Sequence, residues 1–266
     1  MSMNEIYSYY EEGPEYLLKE KMIEHINECL LAISNIRNSK IYKYLMKIPC
    51  EWVLSLDDAI RLSIVFHDIG KVFYQNNYKY DKEHNVKYLS FKGHELLSFY
   101  IFNEFKFEFI DAEKPKEEDF ILSACIFSII FHHHAMGVKK KSVNDYGREN
   151  VVDLDYVQIN KLREIISGFL KSEREMNALD RIINKMKNIS NEKALEIIYN
   201  ILESDIYKNI WEMYVSNSNF RKLSLAFLSI LLVADYYAAN KIRKRIDKKP
   251  PDFYFVLMDF YEYYLK

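Results

Sequence analysis

Apolar residues recur at helical spacing along most of this chain. Leu17, Leu18, Met22, Ile26, Leu30 and Ile33 form one stripe, which predicts a helix across residues 15–36. Asp57 and Asp58 read as the N-terminal cap of a second helix running from Ala59 to His67. The same periodicity predicts helices over 93–106, 119–134, 156–171, 174–188, 191–215 and 219–245. Residues 72–92 are rich in Tyr, Asn and Lys and read as a loop, with room for a short hairpin near Val86–Phe91. Six glycines and five prolines are too few for a turn-rich β fold, so the expected fold class is all-α.

Composition adds the class of molecule. Apolar residues at 49% and charged residues at 29% suit a soluble globular chain, and 266 residues can bury a sizeable core as a single domain, 1–266. Within it, 139–218 reads as a helical insertion carrying many charges and no candidate ligands. It either completes the core as a solvated excursion or serves as a lid or docking surface. No stretch reaches the ~20 consecutive apolar residues of a membrane span. The start, Met1-Ser2-Met3-Asn4-Glu5, lacks the basic-then-apolar order of a signal peptide. Cys29, Cys50 and Cys125 are odd in number and lack Cys-x-x-Cys spacing, so they read as buried free thiols. The expectation is a cytoplasmic protein with no membrane association. Glutamine occurs only at Gln75 and Gln158, while Lys, Glu, Ile and Tyr abound, a bias shared by thermophile proteins and AT-rich genomes.

The candidate chemistry lies in Phe66-His67-Asp68-Ile69-Gly70-Lys71. Imidazole and carboxylate are both strong divalent-metal ligands, and adjacent residues on a helix project about 100° apart. Four further segments offer such ligands from helical contexts: His25, His94, the run His132-His133-His134, and Asp235. Singly, His25 reads as an ordinary helix residue, His94 as a helix-start residue, and Asp235 as a partner of Lys241 or Arg243. Three consecutive imidazoles ending an apolar helix have no packing advantage, however, and a carboxylate inside Leu231–Ala239 is costly to bury unless paired or metal-bound. A site of imidazole and carboxylate without thiolate suits Mn, Fe, Ni, Co or Zn, with Mg as a weaker binder that supports activity when abundant. Gly70, Gly93 and Gly137 adjoin the ligand motifs and free the backbone there.

The order His…His-Asp…His…His-His…Asp resembles the HD superfamily of metal-dependent phosphohydrolases, and most closely the stand-alone HD nuclease of type I CRISPR interference systems. The likeness rests on His25, His67-Asp68 with Gly70-Lys71, His94, the histidine run followed by Ala135-Met136-Gly137, and Asp235 in Val-Ala-Asp-Tyr-Tyr-Ala, across roughly residues 20–240. It implies an HD-domain helical bundle with the insertion placed before the last ligand helix. It also implies two divalent metal ions: His25, His67, Asp68 and Asp235 would hold one, and Asp68 would bridge to a second held by His94, His132 and His133. The family shows two adjacent histidines where this chain has three, so His133-His134 is an alternative pair. Two ions ~3.5–4 Å apart clamp phosphate oxygens during in-line attack, and no serine or cysteine nucleophile is needed. Lys71 is then either a transition-state charge on a nonbridging oxygen or a helix-end cation favourable to the dipole.

The implied activity is hydrolysis of phosphodiester bonds in single-stranded DNA or RNA, as an endonuclease or exonuclease in antiviral defense. The rival is an HD phosphohydrolase acting on free or cyclic nucleotides. A net charge of −2 gives no general support for nucleic acid. Two basic runs do: Lys139-Lys140-Lys141 follows the histidines, and Arg243-Lys244-Arg245 follows Asp235. Tyr74, Tyr78 and Tyr80 could stack on unpaired bases. The chain has no phosphate-loop motif. The resemblance therefore implies a separate helicase subunit and a CRISPR target-recognition complex as partners.

Overall fold

A computed structural model describes residues 5–49, 54–109, 120–133, 152–189, 196, 205–244 and 252–266. It is mostly helical, but it is not all-α. Two N-terminal strands, β1 (Tyr7–Glu12) and β2 (Leu17–Lys21), pair with a hairpin, β3 (Tyr78–Asp81) and β4 (Val86–Leu89), in an antiparallel sheet of order β2-β1-β4-β3. The helical stripe expected from residue 15 therefore begins later. Leu17–Lys21 alternates exposed and buried positions with Leu18 and Glu20 inward, the period of a strand, and the chain turns helical only at Met22. Tyrosine-rich β1 and the hairpin carry aromatic strand formers rather than any helical period. Asn85, at φ 54°, closes the hairpin in the left-handed conformation that asparagine tolerates.

The described residues also form ten α-helices: α1 (Met22–Ala32), α2 (Lys40–Leu45), α3 (Leu56–Phe66), α4 (His94–Phe109), α5 (Phe120–Phe131), α6 (Tyr156–Ser167), α7 (Glu173–Met186), α8 (Asp205–Ser216), α9 (Ser218–Arg243) and α10 (Asp252–Phe260). A 3₁₀ segment, Ile69–Tyr74, opens the region expected to be a loop. Helix α3 starts earlier than Ala59. Ser55 is its cap and accepts from the Asp58 amide at 3.1 Å, while Asp57 and Asp58 occupy the first turn, where negative charge favours the dipole.

Helix α5 is buried on every side from Ile121 to Phe131, and it packs on α9, α4 and α3. Helix α9 also leans on α1, so the N-terminal and C-terminal parts of the chain meet at the centre. Ser218–Ile242 is long and apolar enough to cross a membrane by length and composition, but 67% of its apolar window is buried inside the molecule, as in a core helix.

The helices of the 139–218 stretch join the same core. Ile159, Leu162, Ile165 and Ile166 of α6, and Leu179, Ile182 and Ile183 of α7, are buried with it. Arg61 on α3 is buried and meets the Glu175 carboxylate on α7, and it donates to the Phe169 carbonyl at 2.6 Å. Glu175 also completes the capping box of α7 with Ser172.

Candidate metal centre

Five helix ends or faces converge on one buried point. His25 projects inward from α1, beside Met22 and Ile26. His67 closes α3, and Asp68 follows at φ −108°, ψ 0° as the chain tightens into the 3₁₀ segment. His94 opens α4 after Gly93, whose φ of 92° needs a residue without Cβ. His132 and His133 continue from α5, and Asp235 lies in the middle of α9.

Gly70 sets the spacing between two of these pieces. A Cβ there would meet the His94 carbonyl oxygen at 2.2 Å, and the Gly70 amide donates to Ser98 Oγ at 2.9 Å. The backbone carrying Asp68 can therefore lie directly against the start of α4.

Asp68 is 1% exposed, and its two oxygens face two different ligand sets. Oδ1 lies 2.8 Å from His94 Nε2 and 3.5 Å from His132 Nε2. Oδ2 lies 3.4 Å from both His25 Nε2 and His67 Nε2, and 2.6 Å from Lys71 Nζ. Asp235 Oδ1 joins the second set, 3.3 Å from His25 Nε2. His133 Nε2 joins the first, 3.2 Å from His94 Nε2. The candidate ligands His25, His67, Asp68, His94, His132, His133 and Asp235 thus lie together, divided into Asp68, His94, His132 and His133 on one side and His25, His67, Asp68 and Asp235 on the other. Donor atoms within each set lie within 4.8 Å of one another.

The imidazoles are oriented for ligation. Nδ1 of His67, His94 and His132 donates to the carbonyl three residues earlier, at Ile64 (2.7 Å), Phe91 (2.6 Å) and Ile129 (2.7 Å). That bond fixes the ring and turns the Nε2 lone pair inward. His67 Nε2 and His132 Nε2 are buried, with no hydrogen-bond partner among the described residues. Each unpaired buried nitrogen costs about 1–3 kcal/mol, which a cation would offset. The donor set fits divalent ions, because ligands ~2.0–2.2 Å from a tetrahedral centre stand about 3.3–3.6 Å apart, and the edges around Asp68 Oδ2 and Asp235 are 3.3 to 3.4 Å.

Without an ion, protons and Lys71 balance the charge. Burial opposes ionisation of Asp68, but His67, Lys71, His132 and His25 hold its carboxyl well below the usual range. Burial likewise opposes ionisation of Asp235, yet the His25 bond brings it to about 2. Burial disfavours a charged His25, but Cys29, Asp235 and Asp68 together raise it well above an ordinary histidine. Burial, His132 and His94 keep His133 neutral, far below the ordinary value. Lys71, whose charge burial disfavours, is raised by the Asp68 and Asp235 carboxylates, and its ammonium also lies over the Phe91 ring.

Several sequence expectations read differently in three dimensions. Asp235 faces His25, and Lys241 instead meets Glu28. Tyr74 is 1% exposed and belongs to the core, so it cannot stack on bases, whereas Tyr78 and Tyr80 are exposed on β3. Lys244 is exposed at the end of α9. Lys139, Lys140, Lys141, His134, Gly137, Cys50 and Arg245, and the side chain of Arg243, lie outside the described residues.

Two site residues went unread in the sequence. Glu20 is buried on β2, accepts from Ser8 Oγ at 2.9 Å and stands 3.2 Å from His25 Nδ1. Cys29, one turn after His25, places Sγ 3.6 Å from His25 Nε2, and burial pushes its thiol up. The i, i+4 spacing of His25 and Cys29 was the available signal, while Glu20 gave none as a residue of an unexpected strand. No protein-family model, curated protein or solved structure matches this chain.

Proposed function

We propose that this chain is a divalent-metal-dependent phosphohydrolase of the HD type, acting as a nuclease on single-stranded DNA or RNA. One observation carries the reading: Asp68 directs one carboxylate oxygen to each of two histidine-rich donor sets. A lone structural ion needs four donors, and a scaffold needs none. Seven donor residues divided around one shared carboxylate suit a pair of ions.

Bound ions would supply Lewis acidity toward a phosphate group and its attacking water. His25, His67, Asp68 and Asp235 would hold one ion, and Asp68, His94, His132 and His133 the other, with Mn, Fe, Ni, Co or Zn favoured by the nitrogen-rich sets. The carbonyl-anchored Nδ1 atoms keep three imidazoles aimed, and the buried Glu20 carboxylate lies 3.2 Å from His25 Nδ1. Lys71 stands where the cationic charge is needed. With Asp68 engaged in ligation, the Lys71 ammonium would be free to meet a nonbridging phosphate oxygen. Lys244 and the neighbouring basic run would attract the strand backbone beyond the centre. By the same resemblance, the chain would work beside a separate helicase and a CRISPR target-recognition complex.

The test is incubation of the full chain, supplemented with Mn²⁺, with labelled single-stranded DNA, duplex DNA, RNA and a nucleotide panel, beside Asp68→Ala. Cleavage of single strands that vanishes in Asp68→Ala is expected. Intact strands with hydrolysed nucleotides would transfer the reading to a nucleotide phosphohydrolase, and no hydrolysis at all would sink it.

A further inference from the structure

We propose that the outer face of the four-stranded sheet binds a single nucleic-acid strand, with tyrosines stacking on unpaired bases and lysines meeting the phosphates between them. This role deepens the proposed function and rests on it for the class of ligand.

Strand pairing builds the face. Residues paired across antiparallel strands point to the same side, as do residues two apart along one strand. Tyr10 pairs with Lys19, and Glu12 pairs with Lys87, which pairs in turn with Tyr80. Tyr78, two residues before Tyr80, joins them. The register shift between Tyr7 and Tyr9 brings Tyr7 round to the same side. Leu18 and Glu20 point the opposite way and are buried. The tyrosine side is therefore the outward one. Tyr78, Tyr80, Lys19 and Lys87 are exposed, and Tyr7 and Tyr10 are half-buried.

The rings form a row. The Tyr7 and Tyr10 centroids are 5.8 Å apart, and those of Tyr10 and Tyr78 are 5.5 Å apart. The phenols of Tyr7 and Tyr10 donate to Glu5 at 2.8 Å and Glu12 at 2.7 Å, which holds these two rings in place. Lys19 Nζ stands over both rings, 5.7 and 5.6 Å from their centroids, and Lys87 Nζ stands 4.4 Å from that of Tyr78. Among the described residues neither ammonium is ion-paired, whereas Lys21 is tied to Glu5 at 2.6 Å.

Aromatic faces interleaved with available cations suit a single strand, which offers flat bases and a regular line of phosphates. An ammonium on an exposed ring is held weakly. A base that stacks there displaces it toward the adjoining phosphate, so both contacts form together. A duplex hides its base faces in its own stack, and an acidic peptide would engage the lysines but leave the rings unused. The sheet also adjoins the metal centre. Strand β2 runs directly into α1, which carries His25, and the Gln75 side chain bridges the Tyr7 backbone to the Lys71 carbonyl. A strand held on the sheet would raise the effective concentration of its remainder at the centre.

Fluorescence anisotropy of the full chain in EDTA, which leaves strands uncut, tests this with oligothymidylate of about twelve nucleotides, an abasic oligomer of equal length and the matching duplex. Oligothymidylate is expected to bind at least about tenfold more tightly than the abasic oligomer. Tyr78→Ala should weaken oligothymidylate binding about tenfold, and Tyr78→Phe should retain it, because the ring rather than the hydroxyl stacks. Lys87→Gln should weaken both single strands and lower the slope of log affinity against log salt by about 0.7. Equal affinity for the base-bearing and abasic oligomers, or a preference for the duplex, would overturn the assignment even if the variants fail to fold. Binding unmoved in folded Tyr78→Ala and Tyr80→Ala would also overturn it. Polyglutamate competing as strongly as oligothymidylate would give the face to an acidic partner instead. Strands cut with Mn²⁺ but bound elsewhere would leave the nuclease reading standing without this face. Strands bound here yet left intact with Mn²⁺ would remove the nuclease reading and keep the face.

Discussion

The division of labour within Asp68 makes it the residue least able to change. His94→Ala removes one donor from one set, whereas Asp68→Ala removes a donor from both and leaves Lys71 buried without its carboxylate. Measured as bound Mn²⁺ per chain, His94→Ala should retain about one ion and Asp68→Ala should approach none. The titrating groups set a pH window for the metal-free protein. Asp235 at about 2 lies below an unfolded aspartate near ~3.9, so its stabilisation, roughly 2 kcal/mol, is present above pH ~4 and lost between about pH 4 and 2. His25 is raised above an unfolded histidine near ~6.5, so its contribution is complete below that pH and lost as pH rises through the folded value. Proton and metal compete for the same imidazole. Metal loading should therefore strengthen with rising pH over the range in which the metal-free protein weakens, a crossing that chemical denaturation with EDTA or with Mn²⁺ will expose.

Between residue and molecule, the elements decide whether the ligands meet. The 3₁₀ segment after α3 turns Asp68 toward α4, and Gly70 permits that contact because a Cβ would strike the His94 carbonyl. Gly70→Ala should destabilise the fold by about 1–3 kcal/mol and weaken Mn²⁺ binding to the His94 side more than to the His25 side. Equal weakening at both positions in a calorimetric titration would show that the glycine serves only general packing. The sequence placed Gly70 next to the motif but could not show why. Nothing in Ile69-Gly70-Lys71 reveals a neighbouring carbonyl 24 residues away, because that approach exists only after α4 docks. The sheet was likewise hidden. Leu17–Lys21 satisfies a helical stripe and a strand alternation at once, and its pairing with β1 decides between them.

At the scale of the whole molecule, the candidate centre lies where the N-terminal helix α1, the central helices α3, α4 and α5, and the late helix α9 meet, so an ion bound there would couple to folding. Saturation with Mn²⁺ at 100 times its Kd should add about 2.7 kcal/mol and raise Tm. EDTA should reverse the gain, and Asp68→Ala should abolish it. The α6–α7 region is tied into this body through the buried Arg61–Glu175 pair. Glu175→Ala leaves Arg61 short of a carboxylate inside the protein and should cost about 3 kcal/mol, read as a lower denaturation midpoint with unchanged metal stoichiometry.

The amino-acid sequence by itself determined the candidate ligands and the helical habit. Imidazole and carboxylate types at helix ends, and apolar stripes at helical spacing, are local properties that need no fold to be legible. The tertiary structure alone decided what those ligands share. Which oxygen of Asp68 faces which set, that Glu20 stands beside His25 Nδ1, and that Tyr74 is core rather than surface all depend on contacts that only the folded chain makes. Side-chain direction along one element is set by its own periodicity, but proximity between elements is set by packing, and the candidate metal centre is made of proximity.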